Sequence, residues 1–172
     1  KAIEHCIDKS PHKPKIIFPS PKGKILNHSA SESLSKENSL IFICGHYKGI
    51  DQRIRDKYVT KEISIGDYVL TGGELPALII LDSIVRLIPG VINNIESAKT
   101  DSFSNNLLDS PNYTRPKQFM NLKAPEVLLS GNHEKIKMWK LKQKENKTKK
   151  LRPDLWEKYI KSGNLELKNG KQ

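Results

Sequence analysis

Residues 64–76 are Ser64-Ile-Gly-Asp-Tyr-Val-Leu-Thr-Gly-Gly-Glu-Leu-Pro76. Three glycines lie within these thirteen residues, and an apolar segment typical of a helix follows them. Glycine lets the backbone adopt conformations and close contacts that other residues rarely permit. The chain contains neither G-x-G-x-x-G nor G-x-x-x-x-G-K-[ST], the two common nucleotide-binding motifs. The segment therefore predicts a glycine-lined ligand loop of another kind.

Apolar runs and turn residues alternate on both sides of this loop. The pattern predicts strands over 15–18, 40–44 and 67–71, the second of them central and parallel, and helices over 29–37, 50–58 and 74–88. Such alternation favours an α/β fold with a mostly parallel sheet. Ligands of these sheets bind at the carboxyl ends of the strands. Those ends should bring residues 18–23, 44–49 and 70–73 together.

The helix predicted over 74–88 offers one broad face for burial, made of Leu75, Leu78, Ile79, Asp82, Val85 and Arg86. Residues 93–115 show no period and predict a flexible linker. A small helical domain should follow over 116–172, with Asn132 capping one helix and a last short helix starting near Pro153.

The formal charge of +11 is unevenly distributed. Residues 1–116 carry 15 basic and 13 acidic side chains, whereas residues 117–172 carry 15 basic and 6 acidic ones. A cationic second part predicts a polyanionic partner, nucleic acid before membrane, although a solvated lysine-rich surface is the alternative. No apolar run reaches the roughly eighteen residues that span a bilayer, and no signal peptide is visible, so we expect no membrane contact.

The cysteines and histidines give little support for a metal site or a disulfide. Cys6 and Cys44 are the two cysteines, and a reducing compartment favours free thiols while leaving a disulfide open. No Cys/His cluster has metal-ligand spacing, so we predict no structural metal. The first residue is Lys1, in a segment that looks like the middle of a helix, and we expect upstream residues to be missing.

Five blocks in order closely resemble the bacterial tRNA (guanine-N1)-methyltransferases that modify guanosine 37 beside the anticodon. The resemblance covers residues 1–156 and rests on residues 44–53 (CGHYKGIDQR), 64–77 (SIGDYVLTGGELPA), 86–91 (RLIPGV), 107–116 (LLDSPNYTRP) and 128–134 (LLSGNHE). It implies a SPOUT fold with a deep trefoil knot, a cytoplasmic homodimer, tRNA as substrate and S-adenosylmethionine as methyl donor. It also implies a division into a catalytic domain over 1–92, the linker over 93–115 and an all-α tRNA-binding domain over 116–172.

The resemblance also implies which residues form the sites. The methyl donor would contact Phe18, Pro19, Ser20, Pro21, Gly45, Ser64, Ile65, Gly66, Tyr68, Leu70, Gly72, Gly73 and Pro76. The linker segment that orders over the target base would contribute Asp109, Asn112, Tyr113 and Arg115.

Methyl transfer to N1 of guanine needs a base for the N1 proton and a donor for the charge that develops on O6. By resemblance the base is Asp101, in the segment Lys99-Thr-Asp-Ser-Phe103, and the donor is Arg86. Alone, the first would be a solvated linker residue and the second a helix-end charge.

Several positions depart from the family pattern. Asn112 stands where histidine is usual, His46 replaces a common arginine, and Lys48 replaces a common acid. If that acid supports the magnesium dependence known in the family, Lys48 could not replace it. A first strand and a glycine-rich loop of the catalytic domain have no counterpart, so we expect this segment alone to be poorly active or inactive.

Two alternatives stay open. The first is a SPOUT methyltransferase with another RNA target, which Asp101 and residues 107–116 argue against because ribose methylation needs no such carboxylate. The second is a non-enzymatic RNA-binding module, which would have no reason to keep a methyl-donor pocket.

Overall fold

Strands and helices alternate through the first part of the molecule. The structure, a computed structural model, describes residues 1–91 and 101–163. The chain divides into two compact units, Lys1–Ile95 and Glu96–Gln172. Residues 93–100 of the predicted linker lie outside the described residues, and the remaining part of the linker belongs to the second unit. Among the helices that are described, none combines the length and apolar character needed to cross a bilayer.

The first unit confirms the predicted α/β class. In chain order its elements are α1 (Ala2–Asp8), β1 (Lys15–Ile25), α2 (His28–Ser35), β2 (Leu40–Phe42), α3 (Gln52–Tyr58), β3 (Lys61–Ser64) and α4 (Glu74–Val85). The described strands form a parallel sheet of order β2-β1-β3. β1 therefore lies in the middle, and the prediction that residues 40–44 form the central strand was wrong.

β1 is longer than predicted and passes through two prolines. Pro19 and Lys24 both pair with Ile63 of β3, so the register shifts between them. Proline has no N–H to donate to a ladder, so it is tolerated in a strand at such an irregularity. The bulged residues 20–23 are thereby displaced from the ladder at the end of the sheet where ligands bind.

The third strand lies before the position that the sequence indicated. β3 is Lys61–Ser64, whereas residues 67–71 form bends and irregular backbone, with Val69 82% exposed. Lys61 and Glu62 made β3 look polar, but Glu62 forms an ion pair with Arg55. The apolar run after Gly66 pairs with no strand in the described sheet, so it does not form a strand despite its β-propensity.

The core of the first unit joins the sheet to two helices. Ile17, Leu34, Ile63, Ile80 and Ile84 form its buried cluster. α4 therefore buries Ala77, Ile80 and Ile84, not the predicted face, and Leu75, Leu78 and Ile79 remain exposed. An almost uniformly apolar helix gives no polar side from which to predict the buried one.

The second unit combines helices with a short hairpin. Its described elements are β4 (Gln118–Phe119), β5 (Leu122–Lys123), α5 (Glu126–Leu129), α6 (His133–Leu151) and α7 (Pro153–Lys161). β4 and β5 pair antiparallel, so the predicted all-α domain needs correction. The predicted cap is confirmed, since the Asn132 side chain accepts a hydrogen bond from the backbone N–H of Lys135 at 3.0 Å. Pro153 begins α7, where the first turn needs no N–H donor.

Candidate functional site

The loops at the carboxyl ends of β1, β2 and β3 enclose one cavity of about 320 Å³ in the first unit. All of the residues predicted to contact a methyl donor line it: Phe18, Pro19, Ser20, Pro21, Gly45, Ser64, Ile65, Gly66, Tyr68, Leu70, Gly72, Gly73 and Pro76. Eight further lining residues were not predicted as donor contacts. Lys22, Tyr47, Lys48, Gly49 and Thr71 fall within the ranges 18–23, 44–49 and 70–73 that were expected to converge, whereas Arg55, Ile63 and Val69 lie outside them. Most of these lie beside predicted residues in the same loops, so the spacing of the loops could have found them.

Two loops of the cavity meet backbone to backbone. The N–H of Gly73 donates to the carbonyl of Gly45 at 2.9 Å, and His46 forms an isolated bridge with Gly72. A Cβ atom on Gly73 would lie 2.8 Å from the Gly45 nitrogen and 2.9 Å from the Cys44 Cα, closer than real Cβ atoms approach. Glycine at position 73 is therefore what allows the two loops to touch.

A side-chain pair joins the same loops at the surface. The His46 Nε2 lies 2.6 Å from the Glu74 Oε1, in the first turn of α4. This hydrogen bond is the main cause that lowers the pKa of Glu74. The neighbouring Cys44 is an exposed residue, but partial burial of its thiol and then the Glu74 carboxylate raise the thiol pKa, so it stays protonated at neutral pH. Water screens the exposed pair, so we regard it as a loop contact and not as a source of stability.

The third loop is held by hydrogen bonds of its own. The buried Ser64 hydroxyl donates to the carbonyl of Gly66 at 3.0 Å and accepts from the N–H of Gly66 at 3.1 Å. The Tyr68 hydroxyl donates to the carbonyl of Ile65 at 3.3 Å. These contacts fix the backbone on one side of the cavity before any ligand enters.

The charged residues of the cavity wall are Lys22, Lys48 and Arg55, and no carboxylate lies among the lining residues. Arg55 is neutralised by Glu62, with Nη2 at 2.5 Å from Oε1 and 2.6 Å from Oε2. Its guanidinium also lies over the Phe18 ring, 5.4 Å from the centroid. Hard cations need oxygen ligands, and a wall without carboxylates does not fit Mg²⁺. Across residues 1–91 and 101–163, no group of three His, Cys, Asp or Glu side chains could hold a metal.

The predicted catalytic pair is divided between the units. Arg86 is the exposed C-cap of α4 in the first unit. Asp101 is partly buried at the start of the described part of the second unit, where its carbonyl accepts from the N–H of Ser104 at 3.4 Å. Both residues have further contacts. Their catalytic pairing stays a prediction.

The predicted substrate residues lie in the second unit and differ in their surroundings. The Asp109 Oδ1 lies 3.0 Å from the Lys144 Nζ. Partial burial raises the pKa of Asp109, but the hydrogen bonds from Lys144 and the Ser110 N–H outweigh it, so the pKa is lowered. Tyr113 is half-exposed and its ring centroid lies 6.3 Å from that of Trp139. Asn112 and Arg115 are exposed.

Residues 1–158 match the protein family described as tRNA (Guanine-1)-methyltransferase TrmD. A protein of Anoxybacillus flavithermus named tRNA (guanine-N(1)-)-methyltransferase is 51% identical over 158 residues, which are 92% of this chain and 64% of that protein. Proteins of the same name are 57% identical in Clostridioides difficile (84% of this chain, 63% of the relative) and 50% identical in Listeria monocytogenes (92% and 65%). The chain thus spans less than two thirds of the length of these curated relatives. On the match to residues 1–158, the chain belongs to the tRNA (Guanine-1)-methyltransferase family.

Proposed function

We propose that this chain carries the methyl-donor site and the tRNA-binding unit of an enzyme that methylates N1 of guanosine 37 in tRNA, beside the anticodon. One observation carries the proposal: the residues that the family resemblance assigns to the donor converge, without exception, on one cavity. The names of the relatives state tRNA (guanine-N(1)-) methyl transfer, which agrees with the chemistry proposed here.

The cavity fits S-adenosylmethionine, which supplies an electrophilic methyl group on a sulfonium. A volume of about 320 Å³ lies within the range of small-molecule sites. Gly45, Gly72 and Gly73 line the cavity without side chains, so we propose that backbone N–H and C=O groups beside them bind the edge of the adenine ring. Apolar Ile65, Leu70 and Pro76 would pack against its faces. These residues bind and orient the donor, and none of them moves a proton.

Two other residues are proposed to accept the proton from guanine N1 and to stabilise the negative charge that develops on O6. The Asp101 carboxylate accepts the proton from guanine N1, and the electron pair of the broken N–H bond becomes available for the new N–C bond. The bound donor would supply the methyl group from its sulfonium, and the electrons of the carbon–sulfur bond would remain with sulfur. The Arg86 guanidinium donates to O6, where negative charge develops. The cavity wall offers no carboxylate to Mg²⁺, so the proposed reaction has no step through this ion.

The basic second unit is proposed to bind the tRNA backbone. α6 exposes lysines along its length, among them Lys135, Lys137, Lys140 and Lys142. Cations that neutralise phosphates release counterions, so the affinity should fall steeply with salt. Asp109, Asn112, Tyr113 and Arg115 are proposed to order over the target base.

The finer features implied by the resemblance are part of this proposal. They are a SPOUT fold with a deep trefoil knot, a homodimer and a cytoplasmic location, where tRNA is modified. The exposed Leu75, Leu78 and Ile79 on α4 support a contact with another protein surface, because apolar side chains of this number are rarely left in water on one helix.

The proposal is tested with the full-length protein, radiolabelled methyl donor and two tRNA transcripts. One transcript carries guanosine after the anticodon, and the other carries adenosine there. We expect label only in the first, at N1. Label in both transcripts would indicate a different RNA target, and donor-independent tRNA binding without label would indicate an RNA-binding module.

A further inference from the structure

Residues 102–109 of the second unit form a closed loop. The N–H of Phe103 donates to the carbonyl of Leu107 at 2.8 Å, which closes its interior. The N–H of Asp109 donates to the Ser102 hydroxyl at 3.0 Å, which joins its ends. Asp101 immediately precedes this closure. Whatever holds the loop therefore also limits where the Asp101 backbone can lie.

A single buried hydroxyl of α6 holds the loop to that helix. The Thr148 Oγ1 accepts from the N–H of Leu108 at 2.8 Å and donates to the carbonyl of Lys144 at 2.7 Å. Thr148 is fully buried, at 0% exposure, and Leu107 beside the contact is also buried. Removing the hydroxyl would leave a backbone N–H without its partner in a place that water reaches poorly, which folded proteins strongly avoid.

Two lysines of the same helix reinforce the contact. The Lys144 Nζ lies 3.0 Å from the Asp109 Oδ1, and the Lys147 Nζ donates to the Asp109 carbonyl at 3.2 Å. Lys144 and Thr148 are four residues apart and so lie on one face of α6. Two contacts of Asp109 are thus made with the helix, which gives this residue a role within the chain in addition to the proposed one toward the substrate.

We propose that Thr148 is a positioning residue for the reaction: with Lys144 it holds the loop 102–109 against α6 and so sets the position of the Asp101 carboxylate. The inference rests on the proposed function, in which Asp101 is the base. A base displaced by about 1 Å loses about a hundredfold in rate while binding of the reactants is kept. Loss of the Thr148 hydroxyl should therefore lower kcat and leave the affinities unchanged.

The test compares four variants of the full-length protein, one of which is Asp101→Ala. Thr148→Val removes the hydroxyl at nearly constant shape, and Thr148→Ser keeps it. Tyr159→Phe removes a hydrogen bond of the same unit in which no loop residue takes part, from the Tyr159 hydroxyl to the Glu145 Oε1 at 3.1 Å. We expect Thr148→Val to lower kcat by about tenfold to a hundredfold with KM for donor and tRNA unchanged. Thr148→Ser and Tyr159→Phe should keep wild-type kcat.

Other outcomes are decisive. Equal losses for Thr148→Val and Thr148→Ser would show that the hydroxyl is not the cause, and an equal loss for Tyr159→Phe would show that general destabilisation is; either result overturns the inference. Wild-type kcat for Thr148→Val beside an inactive Asp101→Ala would also overturn it while leaving the proposed base intact. Full activity of Asp101→Ala would instead refute the proposed function itself.

Discussion

Replacing Gly73 with alanine tests whether contact between two loops builds the donor cavity. Gly73 has φ −85° and ψ −9°, an ordinary helical conformation, so alanine carries no dihedral cost there. Its Cβ would lie 2.8 Å from the Gly45 nitrogen and 2.9 Å from the Cys44 Cα. Carbon atoms pack best at about 3.5–4.0 Å, so the loops must separate by roughly 0.7–1 Å.

That separation has a calculable effect. The hydrogen bond from the Gly73 N–H to the Gly45 carbonyl, now 2.9 Å, would lengthen to about 3.6 Å or more and be lost. Its net contribution is about 1 kcal/mol, and overpacking costs about 1–3 kcal/mol in addition. Since the cavity wall moves, we expect Gly73→Ala to weaken methyl-donor binding by about tenfold to a hundredfold, which corresponds to about 1.4–2.8 kcal/mol.

The assay is isothermal titration calorimetry of S-adenosylmethionine into the full-length protein, with Gly90→Ala as the matched control. Gly90 has φ +84°, and a Cβ atom at this position would meet none of the described residues within 4 Å. Alanine there strains the backbone without displacing a neighbour. The control should lose about 1–2 kcal/mol of stability and keep wild-type donor affinity. Wild-type affinity for Gly73→Ala, or equal weakening in both variants, would refute the reasoning.

Three further predictions concern the second unit in the full-length protein. Asp101→Ala should lower kcat by about 10²- to 10⁴-fold in the single-turnover methyl-transfer assay, with donor affinity unchanged, since a general base acts on the chemical step. Lys135→Ala with Lys142→Ala, two turns apart on one face of α6, should weaken binding of every tRNA alike and reduce the slope of log affinity against log salt by about two, measured by filter binding. Lys144→Met should destabilise the protein at neutral pH, because Lys144 helps to lower the pKa of Asp109 in the folded state and so favours its ionised form. Denaturation curves of the variant and the wild type should show this difference in stability. The difference should vanish as the pH falls below about 3.9, the pKa of an unfolded aspartate, and then through the lower pKa of folded Asp109.

The sequence located the loops that line the cavity better than it located the strands beside them. The loops were found because glycines, prolines and blocks of residues keep their spacing whether or not the adjoining strand is assigned correctly. β3 was not predicted because its first residues, Lys61 and Glu62, are polar. Arg55, whose ion pair allows Glu62 to lie in a strand, is seven residues earlier in the chain. A run such as residues 67–71 has strand propensity but no neighbouring strand, and propensity alone cannot supply one.

Other features depend on tertiary contacts that no local pattern records. The buried face of α4 was predicted wrongly because the helix has apolar residues on all of its sides. Which of them are buried depends on packing against α2 and the sheet, which selects Ile80 and Ile84. The sequence did not indicate that Thr148 is buried and bonded to the loop, since a threonine among lysines is typical of a solvated helix. Its partner Leu108 lies forty residues earlier in the chain. Hydrogen bonds between residues so far apart in the chain cannot be predicted from a single sequence.

α6 links the two tasks proposed for the second unit. Its first turns expose Lys135 and Lys142, which would contact phosphates, and its later turns bury Thr148, which holds the loop that follows Asp101. From Lys135 to Thr148 the helix rises about 20 Å as one rigid element. Binding of the tRNA backbone at one part of the helix would therefore fix the distance from that backbone to the base. Under the proposed function, a carboxylate outside the cavity would act with the precision that proton transfer needs, because the helix proposed to bind the tRNA also holds the loop.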